Sequence, residues 1–464
     1  MHASVGSVVT QMGSMGPESQ KSRGLGPVRS AWLFDDRLKK LFANAGILLG
    51  GKGLNAVFSL AAMAVAARAL GTEAFGVLIL IHAFIQTMGD IAKFQSWQAV
   101  LRYGTGPVME GQVETVQRLL RFTVVLDGLG AVLGIGLAMA LSWWVGPHLG
   151  WSDDLQPGVM VYATSILFMV SATPTGVLRL VDRFDLLSVQ STLGSVVRLA
   201  AGLVAWGMDA GTGGFLVAWY LGTTVAGLSL FYAAWREVKG RGLLDGFRWW
   251  GGPWTADFPR IWSFVWSTNL NASLGLISNH LSTLAVGGLL GPSDAALFRV
   301  ARQVGTALSK PAKLLVPAIY PELAKLSTEG AIQTMRSLVG RAALLAGAGA
   351  SLSLLVAWLG GEWLLGLVLG PDFVAAYPVM LWLVAAGVVS IAAFPLEPVL
   401  ISGGEAGTAL RARLWSSALY IPVLLLLVHQ FGLIGAGWAR LFATVITLIA
   451  FLLPVLRWFR ARVA

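Results

Sequence analysis

Nine charged residues stand well inside long apolar stretches of this chain: the cations Lys52, Lys93, Arg198, Arg299, Arg302 and Arg440, and the acids Asp90, Asp127 and Glu397. A charge at mid-bilayer depth costs roughly 3 kcal/mol or more, so such side chains turn toward a bundle interior or a water-filled cavity and mark function by default. Cations outnumber acids two to one, so the chemistry they predict is the holding of an anion. Arginine suits that task best where the anion is a phosphate, because its planar fork bonds two oxygens at once. Arg299 and Arg302 are three residues apart and share a helical face, an unfavourable like-charge pair unless an anion or water lies between them. Arg198, eleven residues into its stretch, is the deepest of the six.

The remaining charges each have two readings. Lys52 and Lys93 lie near one end of their stretches, so each is either a cavity cation or a side chain whose long stem reaches the interface. Asp90 and Lys93, three apart, can neutralise one another. Asp127 is either a coupling carboxylate for Na+ or H+ or the partner of a neighbouring arginine. Glu397, between Pro395 and Pro398, reads as interfacial rather than as a coupling site.

Other patterns point away from catalysis. The stretch GILLGGKG at 46–53 is one residue short of a phosphate-binding loop, with Gly53 where that loop needs a hydroxyl. Such a loop works through backbone N–H groups between a strand and a helix, whereas this segment sits inside a continuous apolar run. Gly46, Gly50, Gly51 and Gly53 are therefore expected to permit close helix approach or bending, and GLGAVLGIG at 128–136 is read the same way. His82, His148, His280 and His429 show no metal-ligand spacing, and no Ser-His-Asp or paired-carboxylate set is present, so neither an enzyme nor a resident metal or cofactor is expected. Asn269, Asn271, Asn279 and His280 form a polar stripe suited to interhelical hydrogen bonds. Pro174, Pro311, Pro317 and Pro395 interrupt apolar stretches and are expected to mark bends.

The elements that must carry these residues follow from composition. The 464 residues are 56% hydrophobic and 12% charged, against about 25% charged in soluble domains. Stretches long enough to cross about 30 Å of hydrocarbon recur at about 43–68, 74–101, 119–146, 157–180, 187–208, 213–235, 261–290, 294–321, 339–370, 374–402, 406–429 and 432–456. The prediction is an all-α polytopic membrane protein with twelve transmembrane helices. Its organisation reads as a tail and interfacial helix over 1–40, a six-helix lobe over 41–236, a linker over 237–260 with Trp249, Trp250 and Trp254, and a second lobe over 261–464. The first apolar run starts too late and is too long for a cleavable signal, and the absence of cysteine carries no message for a membrane bundle.

Lys and Arg cluster in alternate connections, from Arg37, Lys39 and Lys40 through Arg118, Arg183, Arg236, Arg341 and Arg411 to Arg460, while the opposite loops such as GTEAFG, PHLGWSDDLQ and GPSD contain none. By the positive-inside bias both termini are cytoplasmic. The net charge of +10 is this topological bias and does not indicate nucleic-acid binding.

A shift of 220 residues superposes the halves: Leu70-Gly71 falls on Leu290-Gly291, Lys93 on Lys313, Arg121 on Arg341 and Trp143 on Trp363, with Trp219 meeting Trp438 after one residue of drift. Six helices make one unit, and an even number puts both copies in the same orientation, related by a pseudo-twofold along the membrane normal. Two such lobes around a central cavity suit transport by rocking.

The segments NAGILLGGKG, AARALGTEAFG, LRLVDRFDLL and LGPSDAALFRVARQVGTALSKPAKLLVPAIYPELAKL resemble the bacterial oligosaccharide flippases of the multidrug/oligosaccharidyl-lipid/polysaccharide exporter superfamily, over about residues 40–460. The resemblance implies a multi-pass protein of the bacterial inner membrane. It implies export of a polyprenyl-pyrophosphate-linked oligosaccharide for exopolysaccharide, capsule or O-antigen assembly by alternating access. Membrane lipids and other polysaccharide assembly proteins are the implied partners, and Na+ or H+ the implied coupling ion. The chain departs from many relatives on span seven, where Asn279, His280 and Ser282 stand in place of an acid. Two other classes compete. A cation-coupled multidrug antiporter of the same superfamily should line its cavity with acids, and a membrane polymerase or glycosyltransferase should carry a large outward loop; neither feature is present.

Overall fold

The computed structural model describes residues 36–249, 254–309, 323, 325–327 and 329–463, and residues 47–464 form one compact unit apart from residues 1–46. The expected tail over 1–35, Trp250, Lys313, Pro311 and Pro317 lie outside the described residues, as do the side chains of Asn271 and Asn279. No strand occurs among the described residues.

The first lobe comprises α1 (Asp36–Ala92), α2 (Ser96–Met109), α3 (Val113–Val145), the short α4 (Gln156–Ala163), α5 (Ile166–Met169) and α6 (Ala172–Leu180), then α7 (Phe184–Gly207) and α8 (Gly211–Gly240). The second has α9 (Ile261–Leu290), α10 (Pro292–Ser309), α11 (Ile332–Leu369), α12 (Tyr377–Ala392), α13 (Leu396–Ser402) and α14 (Ala406–Val463). Eight described helical stretches are long and apolar enough to cross a membrane. Two of them, over 50–109 and 407–462, leave helical geometry at Gly71 and Gly432 and supply two spans each. Spans seven and eight are α9 and α10, of which α10, with its paired arginines, is the less apolar. The total is twelve spans in two six-helix lobes.

The repeat is written most clearly in backbone geometry. Gly71 and Gly291, Gly111 and Gly330, Gly150 and Gly370, Asp182 and Gly404, and Gly211 and Gly432 all have positive φ. These pairs lie within two residues of the 220-residue shift and fall at the five successive turns between spans in each lobe. Left-handed backbone is open to glycine at little cost and to aspartate at some, so the turns repeat where the side chains around them have diverged. At the Asp182 turn, Arg183 bonds Asp185 at 2.8 Å and also Glu237, tying the turn to α8. Hydrogen bonding to Asp185, followed by the attraction of both acids, holds the Arg183 guanidinium above its ordinary range.

Among the described residues, three spans are broken. Span four restarts at α6 and span ten at α13, with Pro174 in the first turn of one and Pro395 at the N-cap of the other. A proline there lacks only an N–H that no helix carbonyl would have met, and it disfavours helical geometry in the residue before it. Span two breaks over Lys93, Phe94 and Gln95 without a proline. Here α3 presses against the end of α1: a Cβ on Gly130 would stand 2.3 Å from the Ala92 carbonyl oxygen, and one on Gly134 2.8 Å from the Ala92 Cβ. The small residues of GLGAVLGIG thus permit close approach at two positions, while Gly128 and Gly136 face open space. Gly130→Val should destabilise the purified protein by about 2 kcal/mol through forced backbone displacement. Gly136→Val, pointing into lipid, should leave it unchanged; thermal melting in detergent checks both.

The lobes meet along span two and span seven. A Cβ on Gly287 of α9 would stand 2.3 Å from Leu80, and Phe94 packs edge-on to Trp266 with centroids 5.5 Å apart. Nearer the arginine-rich end, Tyr103 and Phe122 of the first lobe pack on Phe264 and Trp262. At the opposite end the contacts are Phe75 on Phe373, centroids 5.8 Å apart, the bare Cα of Gly76 against the Pro292 carbonyl, and Arg68. Its Nε donates to the Val368 carbonyl at 3.0 Å, and a second guanidinium nitrogen donates to the Leu367 carbonyl.

Candidate functional site

A cavity of about 400 Å³ opens within the first lobe and reaches α9 at His280. Its walls are mostly polar. His82, Gln86 and Asp90 of α1, and Lys93 just past its end, contribute at spacings of four, four and three, a single helical face. The latter half of that stripe ends at the break in span two, so Lys93 stands where the helix opens. Asn55 and Ser59 come from the first span, Ser171 from the break in span four, and Gln190, Ser191, Ser195 and Arg198 from α7. Gly194 and Gly222 sit at the crossing of α7 and α8, where a side chain on Gly222 would meet Arg198 at 2.9 Å. Their smallness lets Arg198 lie along α8.

A smaller void of about 20 Å³ adjoins the cavity and brings in the second lobe. Arg198, His82 and Trp219 line it from the first lobe and Arg299 and Gln303 from the second. The Arg198 guanidinium lies 5.2 Å from the centre of the Trp219 ring, and His82 meets the same ring edge-on at 4.7 Å. His82 Nδ1 is also 2.6 Å from the Tyr162 hydroxyl. Stacking on tryptophan contributes about 1–2 kcal/mol to a desolvated cation, but it engages no N–H, and the Arg198 Nε is buried with no hydrogen-bond partner. A buried guanidinium N–H left open is a place for an acceptor from outside the chain.

Arg299 lies within electrostatic reach of Arg198 and Arg302, and Arg302 within reach of Arg440 and Tyr420. Arg440 stacks over Tyr420 at 5.5 Å, and the Tyr420 hydroxyl accepts from Ser282 at 3.1 Å. The arginines therefore run as a chain from α7 across α10 to α14. Asp90 is the one carboxylate among the residues lining the cavity, and its Oδ2 stands 3.5 Å from His280 Nε2.

Residues 41–327 match the model of the family described as polysaccharide biosynthesis protein. Over 347 residues the chain is 33% identical to the inner membrane protein YghQ of Escherichia coli (strain K12), spanning 75% of this chain and 97% of that one. This chain belongs to the polysaccharide biosynthesis protein family. Its fold is also that of solved transporters of the MOP superfamily. It matches an inward-facing multidrug resistance MATE family transporter of that superfamily with TM-score 0.69, 14% identity, and 88% and 95% of the two chains covered. It matches the lipid II flippase MurJ in an inward closed conformation with TM-score 0.63, 13% identity, and 89% of each chain covered.

In this family member the charged residues singled out from sequence separate into groups. Lys93, Arg198, Arg299 and Asp90 border the cavity or its adjoining void. Arg302 and Arg440 continue the arginine chain. Lys52 is exposed on α1. Its neighbour Gly51 is the close-approach residue of GILLGGKG: a Cβ there would stand 1.6 Å from the Ser188 Oγ of α7, whereas Gly50 and Gly53 have open space beside them. Asp90 lies within electrostatic reach of Lys93, and its carboxylate also stands 3.5 Å from His280 Nε2 of the other lobe. Glu397 accepts from Arg413 at 3.3 Å on partly exposed surface, away from the cavity lining.

Asp127 requires a correction, because its bonded partners include no arginine. The carboxylate is buried and accepts from the Ser96 hydroxyl and, at 2.8 and 2.7 Å, from the Thr173 backbone N–H and hydroxyl. Ser96 opens α2 and Thr173 is the second residue of α6. One anion thus sits at the N-termini of two restarted helices, where free N–H groups and the helix dipole both favour it.

His82 and His280, 198 positions apart and scattered in sequence, share the cavity. The signal that could have found His82 is the stripe it begins on α1; nothing local announces Trp219 or Tyr162, whose role comes from packing.

Proposed function

We propose that the protein is a flippase that carries a polyprenyl-pyrophosphate-linked oligosaccharide across the bacterial inner membrane for surface polysaccharide assembly. The observation that carries this reading is the pairing of Arg198 and Arg299 across the lobes, with the Arg198 Nε open, beside a polar cavity whose lining contains a single carboxylate. A pyrophosphate suits forked guanidinium donors, and the Ser, Asn and Gln side chains of the cavity suit sugar hydroxyls. The lipid tail stays in the bilayer. The contacts of Arg68, Phe75 and Gly76 with the second lobe close the end opposite the arginine-rich connections, which the positive-inside bias makes the outer end. Loading is from the cytoplasm, and release follows from rocking of the lobes.

Purified protein in liposomes tests the proposal. Fluorescent polyprenyl-pyrophosphate oligosaccharide should move between leaflets with its covalent bonds intact, and a cationic dye should not be accumulated. Dye transport without lipid transfer would assign the chain to drug export, and a changed product would assign it to an enzyme.

A further inference from the structure

The Asp90–His280 pair joins the two lobes at the cavity wall. Asp90 is on span two and His280 on span seven, their side chains are only partly exposed, and both border the same cavity. The other ring nitrogen, His280 Nδ1, is buried without a hydrogen-bond partner. A neutral imidazole 3.5 Å from a carboxylate makes a long, weak contact, whereas an imidazolium makes an ion pair and gains a second N–H donor. The charged groups around it are specific: Lys93 and His82 on its partner span, Arg299 and Arg302 on α10, and Arg198 on α7. Asp90 is the single anion facing this set of cations within the cavity lining.

We propose that Asp90 and His280 form a proton-binding site shared by the two lobes, and that it is linked to the arginines so that an anion and a proton bind cooperatively. The proposal rests on the flippase reading only for the anion's identity. Its mechanism is electrostatic. With no anion bound, burial and, after it, the charges of Arg299 and Arg302 disfavour a proton on His280; an anion set against those arginines removes their share, and the imidazolium that then forms attracts the anion in turn. Linkage makes the two effects equal in size. The proton enters from the aqueous cavity to the imidazole nitrogen, no bond in the cargo changes, and the gained charge draws spans two and seven together at mid-length. Coupling ion and cargo thereby report to each other through the same inter-lobe contact.

Binding of farnesyl pyrophosphate to the full-length protein in detergent, measured from pH 5 to pH 8, tests the site. The ratio of wild-type to His280→Asn affinity removes the probe's own titration. That ratio should be near one at pH 8 and rise about tenfold toward pH 5, the size expected for one added charge at cavity distances. Asp90→Asn should bind the probe and require a lower pH to show the rise, which a purely structural role for Asp90 would not produce. A ratio that stays constant, or falls with acid, overturns the proton site while leaving the flippase reading intact. Absence of binding at every pH in folded wild-type protein overturns the anion site, and with it both readings.

Discussion

A chain carrying Arg198→Ala, Arg299→Ala and Arg302→Ala together should reach the membrane at normal level and lose export of lipid-linked sugar by about a hundredfold or more. The estimate follows from roughly 2–5 kcal/mol for each buried charge removed from a paired site, with each tenfold corresponding to about 1.4 kcal/mol. The arginines are not a fold requirement in the way an apolar core is. Arg299 is repelled by Arg302 along α10 and by Arg198 from α7, and Arg198 leaves a donor unused, so removing these charges relieves that repulsion. Arg198→Lys with Arg299→Lys keeps the charge and loses the fork, and should fall between, at about a tenfold loss. Lys52→Ala, exposed on α1, should stay within about twofold of wild type. Cells lacking the chromosomal gene and complemented with each variant supply the measurement, read as surface polysaccharide per unit of membrane-inserted protein. Full export by the triple alanine variant would sink the anion site.

Asp127→Ala should be among the most destabilising single changes in the first lobe. Removing the carboxylate strands the Thr173 N–H and the hydroxyls of Thr173 and Ser96 in a buried place. Hydrogen bonds to a charged acceptor are each worth about 1.5–3 kcal/mol, so a loss of about 3–5 kcal/mol is expected, and both restarted helices lose their anchor at once. Asp127→Asn keeps one carbonyl acceptor and should lose about half as much. Thermal melting of the purified variants separates them. Transport by the Asn variant should keep the Na+ and pH dependence of the wild type. A variant that melts normally and loses cation dependence would instead make Asp127 a coupling carboxylate.

The twelve spans, the repeat and the excess of buried cations were legible because each rests on chemistry that needs no partner: the cost of apolar surface in water, the length of a helix that crosses lipid, and the cost of charge within it. Pairings were less legible. Asp90 and Lys93 are three residues apart, and what that spacing could not reveal is the contact across the lobes, His280 Nε2 at 3.5 Å from the carboxylate. Asp127 was read for its charge, while its position is governed by two helix N-termini that exist only because spans two and four break. The sequence near Pro174 marks one of those breaks. The other carries no local mark, since it is held from outside by α3 through Gly130 and Gly134. Trp219 and Tyr162 belong to the site through long-range contacts with Arg198 and His82, which periodicity cannot distinguish from core.

Arg68 reaches across to the carbonyl oxygens of Leu367 and Val368 at the last turn of α11, groups that the helix leaves without intrahelical donors. The receiving half of this fastening is main chain. It is therefore indifferent to which side chains stand at 367 and 368, and inherited change there leaves it in place. Only the arginine side can be edited, so this one fastening is a trait controlled from a single codon, in a lobe other than the one being gripped.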